Sequence, residues 1–297
     1  MSEGYVLTLE DVHKTYPGGV KALKGVTVRV EKGEVVGLVG ANGSGKSTLI
    51  KIALGILGRD KGSVSLNGRD PFRDPRAREG VGVVFERPTL PGGLSVRRLL
   101  ENTARVYGVP RDYVDEAIDL AGLRGHEHKT FPQLSAGLKQ RAAIAHALVG
   151  QPEFIIADEP TSNLDPIERS KILEMLARLN RERGVTLLIS SHVIYEVMKV
   201  ATRIIALRRG VVVRDGPVSQ VLASNVKVRI RAANPEVVAK TLEERGFETV
   251  IAGASVYTRL KSDRRELIEA LLEAEKRGAL VLSFDTAEPS IEEVISE

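Results

Sequence analysis

Apolar and polar residues alternate at the start of the chain. "YVLTLEDVHKTY", Tyr5 to Tyr16, has the period of two of a half-exposed strand. "VTVRVEKGEVVGLVG" adds two strands around a turn at Lys32–Gly33. The second of these is apolar throughout, as a strand buried in a parallel sheet is. After Gly45 the pattern "KSTLIKIALGIL" changes to helical spacing. "GSVSLNGRD" predicts a hairpin edge and "GVGVVF" a short strand. From Ser95 to Gly122 apolar residues recur at helical spacing, broken by "GVPRD". The block from about 88 to 150 is therefore expected to be an inserted all-helical subdomain. Two buried strands follow, "EFIIAD" and "VTLLISS", with the helix "PIERSKILEMLARLNRERG" between them, and the basic hairpin "RIIALRRGVVVRDG" closes the core.

Past Ser224 the elements change order. "VKVRIRA" is a strand, "NPEVVAKTLEERG" a helix, "FETVIAG" and "SVYTRL" a pair of strands. "SDRRELIEALLEAEKRG", with Ser262 as its cap, is a helix, and "ALVLSF" a last strand. This β-α-β-β-α-β order predicts a small ferredoxin-like α+β domain over 225–297, behind a larger α/β domain over 1–224.

Composition narrows the classes. At 297 residues the chain can bury a sizeable core. It has no cysteine, which removes disulfides and thiolate metal sites. The opening "MSEGYVLTLEDVHKTY" carries charges where a signal peptide needs an apolar core, and no uncharged apolar run approaches the ~18 residues of a membrane span. The net charge of +4 is mild and scattered, as on a solvated surface rather than a nucleic-acid footprint.

Chemistry concentrates in "GANGSGKST", Gly40 to Thr48. A G-x-x-x-x-G-K-S pattern between a strand and a helix is a phosphate-binding loop. Gly40, Asn42, Gly43, Ser44 and Gly45 form the turn that aims backbone N–H groups inward. Lys46 sets a charge between β- and γ-phosphates, while Ser47, followed by Thr48, offers a hydroxyl to Mg²⁺. "FIIADEP" supplies the acids: Asp158, at the end of an apolar strand, for the metal, and Glu159 to accept a proton from water. "QLSAGLKQRAAIAHAL" holds a second anion-ready helix start, capped by Ser135.

The ordered set resembles the nucleotide-binding subunit of the ATP-binding cassette (ABC) transporters, from about Leu7 to Gln220. Tyr16 precedes the loop, "LSAGLKQR" follows about ninety residues on, and "ADEPTSNLD" and "SSH" complete it. The resemblance implies a P-loop NTPase core with an antiparallel β subdomain, an inserted helical subdomain, and ATP with Mg²⁺ as ligands. It implies that Tyr16 stacks on adenine and that His192 contacts the γ-phosphate. It further implies that two subunits pack head to tail, so that Ser135, Gly137 and Asp165 of one reach the ATP held by the other. Glu86 falls where this family has a glutamine that touches Mg²⁺; a carboxylate can ligand the metal but adds negative charge. Ser-Ala-Gly-Leu at the signature and the ending "AEPSIEEVISE" resemble the ABC-2-type exporter branch. The implied partners are a second ATPase subunit, as a homodimer, and a separate membrane permease. No nucleic acid is expected, and the implied location is the cytoplasmic face of the membrane. The other histidines, at 13, 126, 128 and 146, are expected to be surface or packing residues. Two rival classes are a soluble ABC ATPase acting on nucleic acid or ribosomes, and a module that binds ATP for regulation without turnover.

Overall fold

A computed structural model describes residues 4–223, 227–259 and 264–287. The chain forms two compact units, Met1–Val218 and Ser219–Glu297, a division slightly earlier than the 224/225 boundary read from the sequence. The first unit runs β1 (Tyr5–Thr15), β2 (Lys21–Glu31), β3 (Val35–Val39), α1 (Lys46–Ala53), β4 (Lys61–Leu66), β5 (Val81–Val84), α2 (Val96–Tyr107), α3 (Asp112–Leu120) and α4 (Ala136–Val149). It continues β6 (Phe154–Asp158), α5 (Pro166–Arg183), β7 (Thr186–Ser191), α6 (Ile194–Met198), β8 (Arg203–Arg208) and β9 (Val211–Pro217). The helix α7 (Val218–Ala223) follows at the boundary.

The strands on either side of Lys32–Gly33 do not pair with each other. Alternating β2 joins β1 and β4 in an antiparallel sheet of order β2-β1-β4. Apolar β3 enters a six-stranded sheet of order β5-β6-β7-β3-β8-β9, parallel except for β9. The reason lies in the patterns: β3, β6 and β7 are buried at every residue and need cover on both faces, whereas β2 buries one face. Leu7, Leu9, Val26, Val28 and Val30 of the small sheet pack with Leu49 and Ile50 of α1 and Phe154, Ile156 and Leu188 of the large one.

In the helical block, Ser95 caps α2 by accepting the Arg98 amide, and left-handed Gly108 ends it within the predicted break. Ser135 caps α4 through the Leu138 amide. Asp165 caps α5, with Pro166 in its first turn and left-handed Gly184 at its end.

The second unit carries β10 (Lys227–Ala232), α8 (Pro235–Glu244), β11 (Thr249–Ala252), β12 (Ser255–Arg259), α9 (Arg264–Lys276) and β13 (Val281–Ala287). Its antiparallel sheet has the order β11-β12-β10-β13, the ferredoxin-like arrangement, over a core that includes Ile230, Leu242, Phe247 and Leu267. The expected Ser262 cap and the helix expected in "AEPSIEEVISE" lie outside the described residues.

Candidate nucleotide site

Four parallel strands deliver the site from their carboxyl ends. β3 leads into the glycine-rich loop, β5 towards Glu86, β6 ends at Asp158, and β7 stops one residue before His192. Because β6, β7 and β3 are neighbours in the sheet, the acids, the histidine and the loop share one edge. Register does the fine placement. Asp158 lies opposite Ser190, whose Oγ donates to Asp158 Oδ1 at 2.6 Å and accepts the Glu159 amide at 2.9 Å.

The loop turns through left-handed Gly43 (φ 78°) and Gly45 (φ 113°) before α1 starts. A Cβ at Gly45 would stand 2.7 Å from the Ala22 carbonyl, so only glycine fits that turn. Gly40 opens the loop, and its carbonyl accepts a hydrogen bond from Lys46 Nζ at 2.7 Å. Ser44 Oγ is buried and has no hydrogen-bond partner among the described residues.

Lys46 is buried, and its Nζ also stands 3.1 Å from Glu159 Oε1, an ion pair without hydrogen-bond alignment. The other Glu159 oxygen is 2.7 Å from His192 Nδ1. Glu159 itself is buried and holds a left-handed backbone (φ 49°), a strained conformation for a side-chain-bearing residue. The phosphate-loop lysine and the expected base thus neutralise each other, with the histidine at hand.

A cavity of about 530 Å³ surrounds this cluster. Of the residues expected from the sequence, it is lined by Tyr16, Asn42 through Thr48, Glu86, Glu159 and His192. Tyr16 Oη lies 3.3 Å from Thr48 Oγ1, which sets the ring beside the end of the loop. Ser47 Oγ donates to Asp158 Oδ1 at 3.3 Å. A hydroxyl and a carboxylate side by side are the hard oxygen donors that suit Mg²⁺. Among the described residues no group of three His, Asp or Glu side chains is arranged to hold a metal by itself. That fits an ion completing its shell with phosphate oxygens and water.

Ser135, Gly137 and Asp165 do not line this cavity. They line another, of about 450 Å³, together with His126, Arg141 and Glu168. Asp165 Oδ1 accepts the Ile167 and Glu168 amides at 3.0 Å each. Gly137 packs against Glu168, which joins Arg141 of α4 to Lys171 of α5 at 3.1 and 2.9 Å. The hydrogen bond from Lys171, then that from Arg141, holds the Glu168 carboxyl below its ordinary range.

The sequence reading missed several lining residues. Val20, Lys21, Lys24, Ser162 and Arg209 border the first cavity and His126 the second. Ser190 and Gln140 were missed too; buried Gln140 donates from α4 to the Phe85 carbonyl at 3.3 Å. Val20, Lys21, Lys24, Arg209 and His126 belong to none of the quoted motifs, whereas Ser162, Ser190 and Gln140 lie inside "ADEPTSNLD", "SSH" and "LSAGLKQR" beside the residues read as functional. The signal available for Ser190 was a polar position directly after the apolar run Leu187–Ile189 of β7.

The family model for ABC transporters matches residues 23–162. The chain is 37% identical to the energy-coupling factor transporter ATP-binding protein EcfA of Methanocaldococcus jannaschii, over 77% of this chain and 85% of that one. It is 38% identical to the methionine import ATP-binding protein MetN of Caulobacter vibrioides, over 79% and 75% respectively. Among solved structures it is similar to cbiO1 of Clostridium perfringens, part of the ABC transporter complex cbiONQ. That likeness has a TM-score of 0.68 and 31% identity, over 81% of this chain and 95% of that one. The dimeric structure of the bacterial cassette MJ0796 gives 0.66 and 31%, over 71% and 98%. The chain therefore belongs to the ATP-binding family of the ABC transporters, whose members bind ATP with Mg²⁺ and hydrolyse it.

Proposed function

We propose that two copies of this chain pack head to tail and that their ATP hydrolysis drives a separate membrane permease. One observation carries this reading: the cavity lined by the phosphate loop and the cavity lined by Ser135 and Gly137 share no residue. Each has phosphate-binding equipment, and a two-fold dimer would let one cavity's helix start cap the other's nucleotide.

On this reading Lys46 leaves Glu159 for the β- and γ-phosphates, which frees Glu159 to accept a proton from the attacking water. His192, 2.7 Å from Glu159, orients that carboxylate and meets the γ-phosphate. Ser47 and Asp158 would hold Mg²⁺, with Glu86 facing it across the cavity. When bound, the metal neutralises charge on the phosphate oxygens. Tyr16 would stack on adenine.

The permease would dock beside Glu86 and the helical block. Phe85 is exposed there, and Val106 and Tyr107 stand exposed at the end of α2. Such attachment would place the chain on the cytoplasmic face of the membrane; among the described residues no helix is long and apolar enough to cross one. Export as an ABC-2-type ATPase is the narrower reading, and Leu138 in the signature is what favours it. The relatives' names speak of methionine import and of an energy-coupling factor transporter, so direction is best assigned from the permease.

Glu159→Gln is the test. It should keep ATP binding, lose turnover by about two to four powers of ten, and accumulate as an ATP-bound dimer. Phosphate release at the parent's rate would remove Glu159 from catalysis.

A further inference from the structure

Three cations on the rim of the nucleotide cavity have no role in the scheme above. Lys21, Lys24 and Arg209 all line it and are all exposed. None of their side chains makes a hydrogen bond or ion pair with another described residue. Most arginines here are otherwise engaged: Arg203 holds Asp215 and Glu34, Arg97 holds Asp115, and Arg141 holds Glu168. Anions in the same cavity do not account for the three. Glu159 is taken up by Lys46 and His192, which leaves Glu86 alone against three positive charges.

Arg209 is also fixed in place. It sits at the β8–β9 turn in a left-handed backbone (φ 49°). The next residue, Gly210, donates its amide to the Ser44 carbonyl of the phosphate loop at 2.9 Å and accepts the Lys24 amide at 2.8 Å. A Cβ at Gly210 would meet the Ala22 carbonyl at 2.6 Å, so strand, turn and loop are in close contact there. The turn that carries Arg209 is thus bound through Gly210 to the loop that cradles phosphate, and the Arg209 guanidinium has no anion beside it among the described residues.

We propose that Arg209, supported by Lys21 and Lys24, is a nucleotide-positioning residue that grips the polyphosphate chain of ATP from its solvent side. The loop amides and Lys46 serve the β- and γ-phosphates from within. Val20 and Lys21 follow Tyr16 in the chain, so the rim borders the stretch between the phosphate loop and the expected adenine face, where the α- and β-phosphates would pass. A guanidinium presents a planar fork that matches two phosphate oxygens. The inference rests on the chain's ATP site and adds a residue that the family motifs do not contain.

The test uses the full chain, with nucleotide binding measured at concentrations where it sediments as a monomer and turnover at concentrations where it dimerises with ATP. Arg209→Ala and Arg209→Asn should each weaken MgATP and ADP binding by about tenfold, because both nucleotides carry the α- and β-phosphates. Asparagine tolerates the left-handed backbone and guards against a folding defect in the alanine variant. KM for ATP should rise by a similar factor while kcat stays within about twofold. Arg209→Lys should recover part of the loss, since charge is kept and the fork is not. The gap between parent and variants should narrow at high salt. Nucleotide affinities within twofold of the parent in both variants, or a fall in kcat with KM unchanged, would overturn the proposal. A parent that binds neither nucleotide would overturn the ATP site itself, a result distinct from normal parental binding with indifferent variants.

Discussion

Glu86 shares its cavity with Glu159, so two carboxylates stand near the place where a tri-anion and its metal would bind. A glutamine there would keep an oxygen for Mg²⁺ and remove one negative charge. Glu86→Gln is therefore expected to hydrolyse ATP at least as fast as the parent. Its apparent Mg²⁺ affinity should change by roughly two- to fivefold, the scale for a water-exposed charge at a few ångströms. Initial rates across a Mg²⁺ titration measure this; unchanged rate and Mg²⁺ dependence would place Glu86 outside the metal's reach. Ser190 is the other informative residue, because it ties Asp158 to the Glu159 amide. Ser190→Ala removes both bonds in a buried place and should cost about 1–3 kcal/mol of stability. Turnover should fall with it, since the turn bearing Glu159, the proposed base, is held at a strained φ. Thermal melting together with kcat checks the pair of effects; a stable variant with normal kcat would mean the Glu159 turn supports itself.

Elements α4 and α5 meet through Arg141, Glu168 and Lys171, next to Ser135 and Gly137. Glu168→Gln should loosen this junction modestly, since part-exposed ion pairs are worth about 0.2–1 kcal/mol. A melting temperature lower by about 1–4 °C is the expected scale for a unit of this size. The sign with pH follows from the lowered pKa of Glu168, due first to Lys171 and then to Arg141. Its contribution is present above the ordinary glutamate range and is lost as pH falls through the depressed folded-state value. Parent and variant should thus differ at neutral pH and converge on acidification. A gap that persists unchanged in acid would assign the effect to packing rather than charge.

At the scale of the whole molecule, the proposed head-to-tail dimer makes a prediction about mixtures. Lys46→Ala should lose the phosphate charge, and Ser135→Arg should block closure, so each alone should be nearly inactive. Mixed dimers would include some with one doubly damaged and one intact site. If one intact site turns over, activity returns in part on mixing and fades on dilution. The decisive contrary result is a Ser135→Arg protein with normal activity at a specific rate independent of concentration. That outcome would reduce Ser135 to the cap it already provides for α4.

Much was legible in the sequence because it is local. "GANGSGKST" specifies its own turn through glycine freedom, β3 and β6 announce burial by being apolar at nearly every position, and β7 does so through its run Leu187–Ile189. The cap Ser135 follows from a hydroxyl that accepts the amide three positions on, and the structure adds Ser95 and Asp165 as caps of the same kind. The five-residue α6 and six-residue α7 were not read, being too short to show a helical period. What only the tertiary structure decided depends on contacts between distant positions. The order β6-β7-β3-β8 brought Ser190 to Asp158 and His192 to Glu159, and it carried the Arg209 turn, more than a hundred residues downstream, to the phosphate loop. Strand order and register are set by which apolar faces bury one another, and no local pattern at Lys24, Ser190 or Arg209 encodes that choice.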